Sequence, residues 1–180
     1  MILLLVIFLI IIIVINNINM NKQPIEAVAV LTNTTIKKLK GFIVFKEDLH
    51  KKDTVITIKI SGLPKGKHGF HIHRTGDLRD SCKSLCAHYN PFHKLHGGKN
   101  SKVRHVGDLG NIEGNNKGEV NMRIRDKLIK LRGKYSVIGR SVVIHSDEDD
   151  LGLGGNKESL ITGNAGSRIA CGVIGFSKGN

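Results

Sequence analysis

Residues 54–73 read TVITIKISGLPKGKHGFHIH, and the fold class follows from this stretch. Its first half alternates, with Val55, Thr57 and Lys59 on one side and Ile56, Ile58 and Ile60 on the other. Period-two alternation is the pattern of a β-strand buried on one face, because successive strand side chains point in opposite directions. Ser61-Gly62-Leu63-Pro64 then interrupts the chain, and Gly69 to His73 reads as a second, shorter strand. Within it, His71 and His73 share one face, so both imidazoles can reach one point while Ile72 enters the core.

The same pattern extends outward. Glu26 to Thr32, Phe42 to Phe45, Glu119 to Arg125, Ser141 to His145 and Gly172 to Phe176 read as further strands, and no long 3.6-residue stripe competes with them. Two stretches lack strand character, from about Gly76 to Asn111 and from Asp147 to Arg168. Loops of that length are uncommon in a compact domain unless they carry function. The expectation is one all-β domain, an antiparallel sandwich or barrel with its chemistry on two long loops.

Lys and Arg outnumber Asp and Glu by 28 to 15, giving a formal charge of +13. Such a field attracts anions, whether small substrates, nucleic acid and other polyanions, or acidic membrane surfaces. The basic residues are dispersed rather than blocked, which reads as a solvated surface. Residues 2–15 are all aliphatic or Phe, long enough for a signal-peptide core and short of the ~20 residues that span a bilayer. A basic region before this run is missing, and Asn16, Asn17 and Asn19 make a poor cleavage site. Residues 1–19 are therefore set apart from a domain over 20–180. Met20 as the functional start would place the protein in the cytoplasm, whereas retention of residues 1–18 would make it secretory or membrane-tethered.

Three cysteines, Cys82, Cys86 and Cys171, suggest one bridge and one free thiol. The absence of a C-x-x-C pair argues against thioredoxin-like and zinc-ribbon readings. Five of the nine histidines fall between His71 and His96. His88, His96 and His105, with Asp108, offer three imidazoles and a carboxylate, a donor set suited to tetrahedral zinc. His145 ends the apolar run Val142 to Ile144 and can join the His71/His73 pair in a nitrogen-rich set suited to Cu(II). Solvated loop histidines plus one satisfied core histidine remain the alternative at this point.

The strings GFHIH (69–73), HYNP (88–91), HGG (96–98), RHVGDLGN (104–111) and GNAGSRIAC (163–171) resemble, in order and spacing, the Cu/Zn superoxide dismutase family, over about residues 26–177. The resemblance implies a Greek-key, immunoglobulin-like β-sandwich or barrel that disproportionates superoxide into oxygen and hydrogen peroxide. It also implies copper on His71, His73, His88 and His145, and zinc on His88, His96, His105 and Asp108, with His88 shared. Asp149 falls where the family keeps a carboxylate accepting from the rings of His71 and His96, Arg168 matches the arginine that guides the anion, and Cys82 pairs with Cys171. In the implied cycle copper alternates between Cu(II) and Cu(I), and His88 releases copper and takes a proton that it passes toward peroxide.

Departures accompany the likeness. Lys157 and Ile161 stand where the family often has Glu and Lys, and Thr75 replaces an aromatic common at its dimer contact. Ile138, Gly139 and Phe176 still favour a homodimer. Cys86 and His93 are extra, His93 being read as a surface residue. A catalytically silent copper-binding protein of the same fold is the alternative function, and polyanion binding is an additional property that neither reading requires.

Overall fold

The computed structural model describes residues 5–14 and 25–178. Residues 5–14 form helix α1, whose side chains are all exposed. Among the described residues no helix is long and apolar enough to cross a membrane. Asn16, Asn17, Asn19 and the alternative start at Met20 lie outside the described residues.

Nine antiparallel strands follow: β1 (Glu26–Val30), β2 (Asn33–Thr34), β3 (Lys40–Asp48), β4 (Asp53–Ser61), β5 (Gly66–His73), β6 (Asp108–Gly114), β7 (Val120–Asp126), β8 (Ser141–His145) and β9 (Arg168–Phe176). Their spatial order is β6-β5-β8-β9-β1-β3-β4-β7, with β2 added on β9. Consecutive strands β4 and β5 are far apart in this order, which is a Greek-key crossing rather than a simple meander. β9 joins the two halves, its first part pairing with β8 and β2 and its last residues with β1. β6 and β7 end the path with no ladder between them among the described residues, so the barrel is nearly closed.

All seven expected strands are present, most of them longer than the alternation alone indicated. β2 and β6 were not expected. β6 corrects the first long loop, which ends at Gly107 rather than Asn111. In β6 a metal-type ligand, Asp108, and three residues with weak strand preference, Gly110, Asn111 and Gly114, hide the buried pair Leu109 and Ile112.

The core is built from the inward faces of these strands, with Ile43, Phe45, Ile56, Ile58, Phe70, Ile72, Ile112 and Ile144 all at most 1% exposed. Each such side chain contributes about 1.5–3 kcal/mol of transfer free energy. β8 is buried along its whole length. Val142 and Ile144 enter the main core, while Val143 packs on the opposite face with Cys82, Leu85 and Cys171. That second face is covered by the loop after β5, held to β9 by the Cys82–Cys171 disulfide.

Two register shifts set the positions of Asp108 and Arg168. Between Gly69 and His71, β6 carries an additional residue, which brings Asp108 opposite His71. Between Ile144 and His145, β9 does the same and brings Arg168 opposite His145. Bulges of this kind bend a strand and redirect its side chains.

Candidate metal centre

Because Phe70 and Ile72 point into the core, strand alternation sends His71 and His73 to the other face of β5, beside His145 of β8. His88 reaches the same place from the loop, through an isolated bridge to His73. Ligating atoms of His71, His73, His88 and His145 all lie within 4.8 Å of one another, and all four residues are buried. The Nε2 atoms of His73 and His145 face each other at 3.3 Å.

A second group meets on the far side of His88. Ligating atoms of His71, His88, His96 and Asp108 lie within 4.8 Å of one another. His105 joins through the same carboxylate, its Nδ1 3.1 Å from Asp108 Oδ1. The other contacts of Asp108 are His88 Nδ1 at 2.9 Å and His96 Nδ1 at 3.0 Å. His71 thus lies close to both groups.

The remaining ring nitrogens are fixed by partners that decide which nitrogen keeps a lone pair. Asp149, 1% exposed, accepts from His71 Nε2 at 2.9 Å and from His96 Nε2 at 2.8 Å. His73 Nδ1 donates to the Cys86 carbonyl at 2.8 Å, and His145 Nδ1 donates to the Gly166 carbonyl at 3.1 Å. Every one of these protons sits on the nitrogen facing away from the cluster, leaving a lone pair directed inward. Asn111 steadies Asp149 in turn, accepting from its N–H and donating to its carbonyl, both at 2.8 Å. Gly163 passes so close that an added Cβ would collide with the Asp149 carboxylate.

His71 Nδ1, His88 Nε2 and His96 Nδ1 are buried without a hydrogen-bond partner. Each such atom costs roughly 1–3 kcal/mol when nothing replaces lost water. Inward nitrogens that face one another without a partner are the arrangement that cations satisfy, so these residues fit two metal ions. Four nitrogens suit copper, and three nitrogens with a carboxylate suit zinc.

The electrostatics agree at His71 and His145. Burial, helped by the neighbouring imidazoles, lowers His71 to about 3. Burial likewise lowers His145 to about 4. Both rings are therefore neutral, as ligands must be. Burial would raise Asp108, but the adjacent rings of His105, His88 and His96 outweigh it and hold the carboxyl far below its usual range. At His96 the lowering by burial is outweighed by the nearby carboxylates of Asp108 and Asp149, which raise it to about 9, so a cation bound there has to displace a proton.

A cleft of about 470 Å³ opens over the first group, with His73, His88 and His145 among its lining residues and Arg168 and Thr162 at its side. Arg168 Nη1 donates to the carbonyls of Cys82 at 2.6 Å and Lys83 at 2.9 Å, and Nη2 to that of Cys86 at 2.5 Å. These bonds fix a cation at the cleft wall. Ile161 and Glu158 also line it, on and just before helix α2 (Ser159–Thr162).

The structure thus gathers every expected ligand, together with Asp149 and Arg168, into one region and closes the Cys82–Cys171 bridge. Cys86 is the free, half-buried thiol. His93 is exposed and outside both groups. His68, not singled out in the sequence, is a satisfied buried histidine, bonded to the carbonyls of His145 and Pro64. Also not singled out was the ion pair of Arg104 and Asp126, at 2.5 Å. Arg104 further donates to the carbonyls of His105, Val106 and Asp108, gathering the turn that carries two ligands of the second group. Asn111 and Arg104 both stand in the string RHVGDLGN, so a signal was present without a role attached.

A nearly closed antiparallel barrel holding two adjacent donor sets, with His71 and His88 close to both, defines a dinuclear metalloprotein. The family model described as Copper/zinc superoxide dismutase (SODC) matches residues 39–174. The chain belongs to this family. It is 53% identical over 166 residues to a Cu-Zn superoxide dismutase of Paramecium bursaria Chlorella virus 1, covering 92% of this chain and 85% of that one. With the extracellular Cu-Zn superoxide dismutase of Drosophila melanogaster it shares 48% identity over 156 residues, 85% of this chain and 86% of the relative. The crystal structure of the clock protein EA4 superposes with a TM-score of 0.81 at 42% identity, covering 86% of this chain and 96% of that one.

Proposed function

We propose that this protein is a superoxide dismutase that uses copper and zinc. In this reading copper is held by His71, His73, His88 and His145, and zinc by His88, His96, His105 and Asp108. The observation that carries it is the position of His88, with Nδ1 2.9 Å from Asp108 and Nε2 buried without a partner beside the other group. Copper, when bound, supplies one-electron exchange between its two oxidation states, which lets one superoxide be oxidised to oxygen and the next reduced to peroxide.

The chain supplies the rest. Arg168 holds the small anion at the cleft wall with a charge that persists at any working pH. Thr162 and Ile161 narrow the approach. Asp149 keeps the protons of His71 and His96 on Nε2, away from the ligating atoms. His88 holds and releases a proton at Nε2, the nitrogen not engaged by Asp108, and so can deliver it to nascent peroxide. Net positive charge draws superoxide inward, a steering effect for which superoxide dismutases are themselves a standard example.

The test is superoxide decay by the metal-loaded protein, with metal analysis of the His145→Ala variant. We expect that variant to lose copper and activity while keeping zinc. A variant that retains copper and dismutates normally refutes the ligand assignment, and a metal-replete wild type without turnover favours the silent copper-binding alternative.

Three further readings belong to the same proposal. A homodimer forms through Ile138, Gly139 and Phe176, the last being 63% exposed. Sedimentation of Phe176→Glu as monomer alone supports it. Residues 1–19 are a segment separate from the domain over 20–180, which N-terminal sequencing of the natural product checks. Polyanion binding is a second property of the basic surface, tested by salt-sensitive retention on heparin.

A further inference from the structure

His71, His73 and His145 stand on strands, whereas His88 stands on irregular backbone joined to β5 by an isolated bridge. A ring that serves two donor sets at once tolerates little displacement, so the segment beneath it must be held by something else. The contacts of Arg140, at the base of β8, meet that need. Its Cζ lies 3.6 Å from the centroid of the Tyr89 ring, the residue after His88. Its Nη1 donates to the Arg74 carbonyl at 2.5 Å, and Arg74 N–H donates to the Ala87 carbonyl at 2.9 Å, the residue before His88.

We propose that Arg140 is a positioning residue for His88, clamping the chain on both sides of it through the Tyr89 ring and the Arg74 carbonyl. The proposal rests on the reading that His88 is shared between two metals. Arg140 is itself well anchored. Its Nε donates to the Ser136 carbonyl at 3.1 Å, and its own carbonyl accepts from Ile174 N–H on β9 at 2.8 Å. Tyr89 is 4% exposed, and its backbone is bonded on both sides, to the Ile72 carbonyl at 2.8 Å and from Gly107 N–H at 2.9 Å. Pressing on this ring therefore fixes the backbone next to His88. The task needs a planar cation: guanidinium stacks flat on an aromatic face while its edge reaches two carbonyls, and an ammonium cannot do both.

The test reads the ring rather than turnover. Full-length protein is loaded with copper(II) at both sites and its electron paramagnetic resonance is recorded. An imidazolate shared by two Cu(II) ions couples their spins and suppresses the signal of isolated copper. Wild type and Tyr89→Phe, which keeps the aromatic face, are expected to be coupled. In Arg140→Met the uncoupled copper signal rises severalfold at equal metal content, and Arg140→Lys falls between the two. Circular dichroism reports folding, and Arg140→Lys carries the test if Arg140→Met does not fold. Coupling of wild-type strength in the folded Arg140 variants overturns the proposal. Failure of wild type itself to couple refutes the shared ring instead, and the proposal falls with it, so the two failures are told apart.

Discussion

Replacing Asp149 with Asn tests whether the inward lone pairs are set from outside the cluster. The two carboxylate oxygens of Asp149 receive one imidazole N–H each, at 2.9 Å from His71 and 2.8 Å from His96. Oδ1 also accepts from Leu151 N–H at 2.7 Å. An amide of nearly the same shape offers one accepting oxygen and one donating NH₂, so one of the two rings is left with N–H facing N–H. That ring either stays without a partner or moves its proton to Nδ1, the atom that has to face the metal. A hydrogen bond to a charged group is worth about 1.5–3 kcal/mol, and loss of such an outer partner typically costs about 10–100-fold in metal affinity. The two figures agree, since tenfold is about 1.4 kcal/mol. Competition of the folded variant with a chelator of known affinity, followed by elemental analysis, should show at least one site weakened by this amount. Wild-type affinity at both sites would mean that Asp149 is a bystander.

Three other outcomes are expected. Asp126→Asn leaves the Arg104 guanidinium buried without its counter-charge, and denaturant unfolding should show a loss of about 3–5 kcal/mol with faster release of zinc. The metal-free protein should be most stable near neutral pH. His71 and His145 are lowered from an ordinary 6.5 by burial, so the unfolded chain takes up protons that the folded one refuses, and stability falls below pH 6.5 toward pH 4. His96 is raised to about 9, so its contribution is complete below pH 6.5 and is lost as pH rises through 9; thermal midpoints across this range measure both slopes. Superoxide turnover should fall as salt rises from low ionic strength, because screening shortens the reach of the +13 charge, and a flat salt profile would remove steering from the account.

The strands were legible because alternation is a local property: Ile56, Ile58 and Ile60 are buried and Lys59 is exposed, as their order requires. β6 was not legible, because the register shift opposite His71 breaks its period and places Leu109 and Ile112 three apart. Ligand types could be read from spacing, but their grouping came from the resemblance, since a loop of some thirty residues carries no distance information of its own. Sequence order likewise could not place Arg104 beside Asp126, or Arg140 under Tyr89, because each pair meets only when the long loop after β5 folds against the barrel. The continuous burial of β8 was visible as an apolar run; its physical reason, a core on one side and a disulfide-tied loop on the other, was not.

The one-residue offsets between β5 and β6 and between β8 and β9 also limit how this barrel can change over generations or in the hands of a designer. Most hairpins tolerate the gain or loss of a residue by adjusting at the turn, but here a single deletion would slide Asp108 or Arg168 to the wrong side of its strand while leaving every ligand present in the gene. Transplanting the centre to another scaffold therefore means copying two misalignments along with the histidines.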